Sequence, residues 1–202
     1  MNASRDVVLA LPCPPERVPQ ATRIRSTVLS SSLAALDAIG LRDAYFQGLP
    51  REHHETVRSL IVGEWLPMEL GVIHYRAIEQ LDLSQEQARA NGRRVADRVQ
   101  KSYLATMIKT IGFGITPWSI LPRTQAILDR LLMGSSVAVY RIGPKDVRLE
   151  IHGAPIASFA YVRQGWAGMI EGGLDLVTKR TFCRDVSPPR TTTVAAYVVT
   201  WA

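Results

Sequence analysis

The sequence predicts an α+β fold, with an N-terminal helical half followed by a C-terminal β-β-α-β-β antiparallel sheet. Three observations carry this. Apolar residues recur at helical spacing through most of 31–134. The pattern then switches to a two-residue alternation at 147–152, after a β-branched run at 136–142. A glycine-bearing helical stretch at 155–172 is followed by two more strand-like runs.

Taken in order, residues 1–21 form a Pro-rich N-terminal arm. Pro12, Pro14, Pro15 and Pro19 forbid a regular helix there, although 6–10 can add as an edge strand. Residues 22–202 form a single α+β domain. Residues 22–29 have strand composition. A helix is expected over 31–40, capped by Ser31 or Ser32 and stopped at Gly40. Pro50 opens a helical segment at about 51–62, and Pro67 sits near the start of another at about 66–81. The longest helical signal is 84–113, where Ser84 and Gln87 have capping-box spacing. A further helix is expected over 118–134, ended by Gly134. The run "SVAVYRI", the turn "GPKD" and the run "VRLEIH" make a hairpin, with Val147, Leu149 and Ile151 inward. Strands are expected at 174–183 and 191–201. The last is apolar at both parities, as in a central, doubly covered strand.

The totals exclude several classes. The 202 residues are 47% hydrophobic and 21% charged, which fits one globular domain rather than a disordered chain. Cys13 and Cys183 are too far apart for a disulfide framework, and no CxxC pair offers metal spacing, so no metal site is expected. No stretch is long enough to span a bilayer, no secretory leader is recognisable, and a cytoplasmic location is expected. The net charge of +6 is supplied by arginine in all but four of the 24 basic residues. They are spread along the chain, which favours a solvated surface over a nucleic-acid site. Arg94, Arg98, Lys101 and Lys109 share one side of the 84–113 helix and are the candidate contact for an anionic partner.

The stretch "QGWAGMIEGGLDLV" at 164–177 poses the sharpest question. A phosphate loop needs a strand before its glycines and Lys-Ser or Lys-Thr after them. Neither is present. At 100° per residue Gly165, Gly168 and Gly172 fall within about 60° of one another and form a bare stripe. Each costs roughly 1 kcal/mol of helix stability against alanine, so the stripe implies close packing. Trp166, Met169 and Ile170 lie on another face and, with Gly165 and Gly168, are the candidate ligand-binding residues. His53 and His54 are adjacent in a helical segment and point about 100° apart, a poor chelate. His74, in an apolar helix, reads as a hydrogen-bonded buried histidine. No GxSxG, HExxH or triad spacing occurs, so no catalytic residue is assigned.

The succession of "NGRRVADRV", the "LPR" segment, the hairpin, the glycine helix and the closing Tyr197 and Trp201 resembles a family of uncharacterised paralogous proteins of myxobacteria. The resemblance runs from about residue 22 to the end. The layout also looks like the ligand-binding fold shared by vinyl-reductase-like domains, haem nitric-oxide sensors and vesicle-tethering subunits. That resemblance implies a pocket for an apolar small molecule or acyl chain, or dimerisation through helices. The haem sensors' Tyr-x-Ser-x-Arg motif is missing, and His74 and His152 lack its context, so no cofactor, haem included, is expected. Only Cys183 stands where the vinyl-reductase-like domains carry a cysteine cluster.

Together these readings point to a non-enzymatic small-molecule-binding or interaction domain in signalling, with a homodimer or protein partner. The alternatives are a scaffold without a ligand, an enzyme on a hydrophobic substrate, or a nucleic-acid binder.

Overall fold

A computed structural model describes residues 6–97, 115–188 and 193–202. The N-terminal half is helical and the C-terminal half is an antiparallel sheet carrying one long helix, the α+β arrangement expected from the sequence. The elements are β1 (Asp6–Leu9), β2 (Arg23–Arg25), α1 (Ser26–Ala38), α2 (Arg42–Gly48), α3 (His54–Arg58), β3 (Trp65–Pro67) and α4 (Met68–Glu79). Next come α5, described over 85–97, then α6 (Pro117–Ile120), α7 (Thr124–Leu128), β4 (Leu132–Met133), β5 (Ser136–Gly143) and β6 (Asp146–His152). The chain ends with α8 (Ala160–Leu174), β7 (Thr181–Asp185) and β8 (Ala195–Trp201).

The main sheet has the order β1-β5-β6-β8-β7, all antiparallel. Its register aligns Val137 with Ile151 and Ala195, and Val139 with Leu149 and Tyr197. These residues are buried, and with Val147 and Val199 they form one apolar face. The opposite face carries Arg148, Glu150 and Arg184. A sheet covered on one side explains the alternation of β6. The last strand is central, between β6 and β7. Its second face is only partly covered, since Val198 and Thr200 are half-buried while Ala196 is buried.

Several boundaries differ from the sequence reading. The 22–29 run is a strand for three residues only. Ser26 then starts α1, and its hydroxyl explains why. Ser26 Oγ donates to Ile61 O at 2.7 Å and accepts from Gly63 N at 2.9 Å and Glu64 N at 3.0 Å. This fully buried side chain pins the 61–64 loop onto the helix start, a contact made across 35 residues or more. The helix expected over 118–134 is instead α6, a 3₁₀ turn at Leu121–Arg123, α7 and β4. Pro122 lacks the N–H an α-helix needs there, and Gly134 has a φ of 111° that ends β4. The strand expected from 174 begins only at Thr181, because α8 runs through Gly172 and Gly173 to Leu174. In contrast, the Ser84–Gln87 box forms as expected: Ser84 N donates to Gln87 Oε1 at 2.9 Å, and Gln87 N to Ser84 Oγ at 3.2 Å.

Buried polar groups knit the helical half together. His74 is fully buried on α4, with Nδ1 2.7 Å from the Tyr45 hydroxyl and no partner at Nε2 among the described residues. Burial lowers its pKa to about 3. The unfolded chain therefore takes up a proton at His74 near pH 6.5, which the folded chain refuses until about pH 3. The neutral ring's contribution is complete above pH 6.5 and is lost as pH falls toward 3. Unfolding titrations should show stability dropping from pH 6.5 downward, by up to about 1.4 kcal/mol per pH unit. His74→Gln should flatten that limb; an unchanged slope would refute the assignment.

Candidate functional site

The long helix α8 organises the candidate site. Its N-terminus is held from a distance: Ala160 N and Tyr161 N donate to the two carboxylate oxygens of Glu79, at 2.9 and 3.0 Å. Glu79 closes α4, so one anion satisfies two unpaired amides and complements the helix dipole. The helix is tied to the sheet near both ends. Tyr197 donates from its hydroxyl to Arg163 O at 3.0 Å, and Cys183 N donates to Glu171 Oε1 at 3.0 Å.

The bare stripe of α8 meets α5. A Cβ built on Gly168 would stand 2.1 Å from the Arg89 carbonyl oxygen, and one on Gly92 would stand 1.8 Å from the Gly165 carbonyl oxygen. Gly172 faces Ala96 at 3.2 Å, and Gly165 faces Ala88 O at 3.7 Å. Ala88, Gly92 and Ala96 recur every four residues, so two small-residue rows are laid together with backbone touching backbone. Beside this contact an ion-pair cluster closes the gap: Glu171 accepts from Arg89 Nη1 at 3.0 Å and Arg93 Nη2 at 2.7 Å.

The other face of α8 lines two adjoining cavities. The larger, about 130 Å³, lies between α8, the 120–131 segment and the inner face of β5 and β6, with walls that include Ile127, Leu149, Met169, Ile170 and Leu174. The smaller, about 60 Å³, reaches toward α1 and α4. Both are bordered by Leu128, Leu131, Ile151, Trp166 and Met169. Trp166 is buried; Met169 and Ile170 are half-buried.

The structure therefore places Trp166 and Met169 on both cavities, Ile170 on the larger and Gly165 on the smaller, while Gly168 lies in the contact with α5. Arg94 is exposed on α5; Arg98, Lys101 and Lys109 lie outside the described residues. Sequence reasoning missed Leu128, Leu131 and Ile151 as shared lining and Ser32, Tyr75, Asn91 and Tyr161 as polar lining, because they come from four or more separated elements. Cys183 is buried on β7, and burial pushes its thiol pKa up, so it is held as an unreactive thiol. Among the described residues no group of three metal-binding side chains occurs, and no helix is long and apolar enough to cross a membrane.

No family model matches the chain, and no curated protein matches it. Solved structures do. The Fe(II) unliganded H-NOX protein from K. algicida is similar over 89% of this chain and 97% of its own, with a TM-score of 0.62 and 7% identity. A structure from work on haem distortion in the H-NOX family matches over 88% and 95%, with a TM-score of 0.61 and 12% identity. An oxygen-binding H-NOX domain related to soluble guanylate cyclases matches over 88% and 95%, with a TM-score of 0.54 and 11% identity. At these identities the likeness establishes the fold.

It also corrects one expectation. The sequence reading excluded a cofactor on the missing Tyr-x-Ser-x-Arg motif, but the fold is that of H-NOX domains, a family studied for the function of its haem distortion. A missing motif is thus too narrow a ground for the exclusion. The described lining can be tested directly against haem. Its apolar walls suit a macrocycle, yet they present no imidazole, thiolate or cation to hold iron or propionates. His74 turns to Tyr45 and His152 to Glu150, while His54 bonds Leu49 O. The sole sulfur in the described lining is the Met169 thioether. These residues do not fit haem in the arrangement described.

Proposed function

We propose that this chain is a ligand-sensing domain in signalling, which takes one apolar small molecule between α8, the 120–131 segment and the inner face of β5 and β6. The observation that supports this most is the larger cavity: about 130 Å³, walled almost wholly by hydrocarbon, and placed against the helix whose other face is welded to α5. Pockets for small molecules are concave, mostly apolar and few per protein. Filling an apolar cavity restores the contacts its lining lacks. A ligand there presses on Met169 and Ile170, and α8 has little slack to absorb the push. The displacement passes to α5 through Gly92 and Gly168 or to β7 through Glu171. The H-NOX neighbours, one described as oxygen-binding, support a small-molecule role in the same fold. An acyl chain is within the same chemical class.

Native mass spectrometry of the protein purified from its own host tests this. One apolar molecule, retained at one per chain and released on unfolding, is the expected result. A chain that stays bare from its host and also after incubation with hemin and with long-chain ketone would overturn the reading. Visible absorbance in the same sample identifies haem if that is the molecule retained.

A further inference from the structure

The ligand's chemistry follows from the contrast between the two cavities, and this inference rests on the ligand-binding reading above. The described wall of the larger cavity has one polar side chain, Thr124. The smaller carries four: Ser32 from α1, Tyr75 from α4, Asn91 from α5 and Tyr161 from α8. All four are buried. Four helices deliver these polar groups to one end of a space whose other described walls are apolar apart from Thr124.

The hydrogen bonding of that cluster is loose. Ser32 Oγ donates its one proton to Val28 O at 3.2 Å. It stands 3.5 Å from the Tyr75 hydroxyl, well beyond the roughly 2.7–2.8 Å of a good O–H···O bond. Asn91 Nδ2 donates to the Tyr161 hydroxyl at 3.3 Å. Ser32 stands beside Tyr161 as well. With the Ser32 proton turned to Val28 O, neither phenol proton has a close acceptor among the described residues of the cluster. An acceptor oxygen placed in the cavity would supply one. Burial raises the pKa of Tyr75 and of Tyr161, so both remain O–H donors at neutral pH. No Lys, Arg or His belongs to the described lining of either cavity, so a carboxylate would meet no counter-charge among the described residues.

We infer that the two adjoining cavities together take an uncharged, oxygen-headed apolar molecule (a long-chain ketone, alcohol or quinone), whose oxygen accepts from Tyr75 and Tyr161 and whose body lies along Trp166 and Met169. The head sits between α1, α4, α5 and α8, and the chain points into the larger cavity.

Displacement of N-phenylnaphthylamine, an uncharged apolar fluorophore, tests this with three competitors of one length: decyl methyl ketone, dodecane and dodecanoate, at pH 8. The ketone should bind about five-fold or more tighter than either of the others, the size of one buried neutral hydrogen bond. Tyr75→Phe and Tyr161→Phe should each weaken the ketone about five-fold and leave dodecane within about two-fold. Equal displacement by ketone and alkane, tightest displacement by dodecanoate, or a ketone indifferent to both phenylalanine variants would overturn the inference; the last result would mean the cluster holds only water. The wild-type ranking stands by itself if a variant fails to fold. Binding of the fluorophore without ketone preference defeats this inference alone, whereas no binding of any probe defeats the ligand-binding reading with it.

Discussion

Replacing Gly92 or Gly168 with alanine is expected to lower stability by about 3 kcal/mol, a melting temperature lower by roughly 6–12 °C. The added methyl would meet a carbonyl oxygen of the opposing helix at 1.8 Å for Gly92 and 2.1 Å for Gly168. Backbone atoms cannot rotate aside as a side-chain tip can, so α5 and α8 must separate. Gly165→Ala is the internal control. Its methyl would stand 3.7 Å from Ala88 O, an ordinary contact, and alanine is the better helix former by about 1 kcal/mol. Thermal unfolding followed by circular dichroism should therefore rank Gly165→Ala at or above wild type and the other two well below it. Equal gains at all three would mean that the glycines act through helix propensity and not through contact.

The second large effect is expected at Glu171. This buried carboxylate on α8 accepts from Arg89, Arg93 and the Cys183 amide, joining α5, α8 and the edge strand β7. Glu171→Ala should cost about 2–3 kcal/mol. Arg89 and Arg93 keep access to water, at 30% and 50% side-chain exposure, so the heavier loss falls on the Cys183 amide, left buried without an acceptor. Glu171→Gln retains an acceptor oxygen and should lose less. Hydrogen exchange separates the causes: the Cys183 amide should exchange faster in the alanine variant than in the glutamine variant. Similar protection in both would show that the carboxylate serves the arginines alone.

What could be read from the sequence was local. The β5–β6 hairpin alternates and turns within seventeen residues, 136–152, and the Ser84–Gln87 box spans one helical turn; both signals are complete in a short window. The stripe of Gly165, Gly168 and Gly172 announced a close approach, but not that α5 would be the neighbour, because the matching row of Ala88, Gly92 and Ala96 reads as ordinary helix composition. Pro122 already marked the break in the 118–134 segment, and its apolar periodicity outweighed it wrongly. Glu79 capping α8 and Ser26 pinning the 61–64 loop were invisible for a different reason. Each is a single polar residue whose partner lies far along the chain, and no spacing rule reaches that far. Trp166, Met169 and Ile170 were legible as one apolar face. Their polar counterparts Ser32, Tyr75, Asn91 and Tyr161 were not, since four helices have to assemble before those groups share a wall.

The most direct test of the ligand-sensing reading is a titration of the purified chain with N-phenylnaphthylamine beside a cavity-filled variant. Met169 borders both cavities and is half-buried, so Met169→Trp occupies the space while remaining apolar. Saturable fluorescence enhancement at one probe per chain, abolished in a Met169→Trp protein that still melts cooperatively, is the result expected. Unsaturable enhancement, or saturable binding that survives the filling of the cavity, would contradict it.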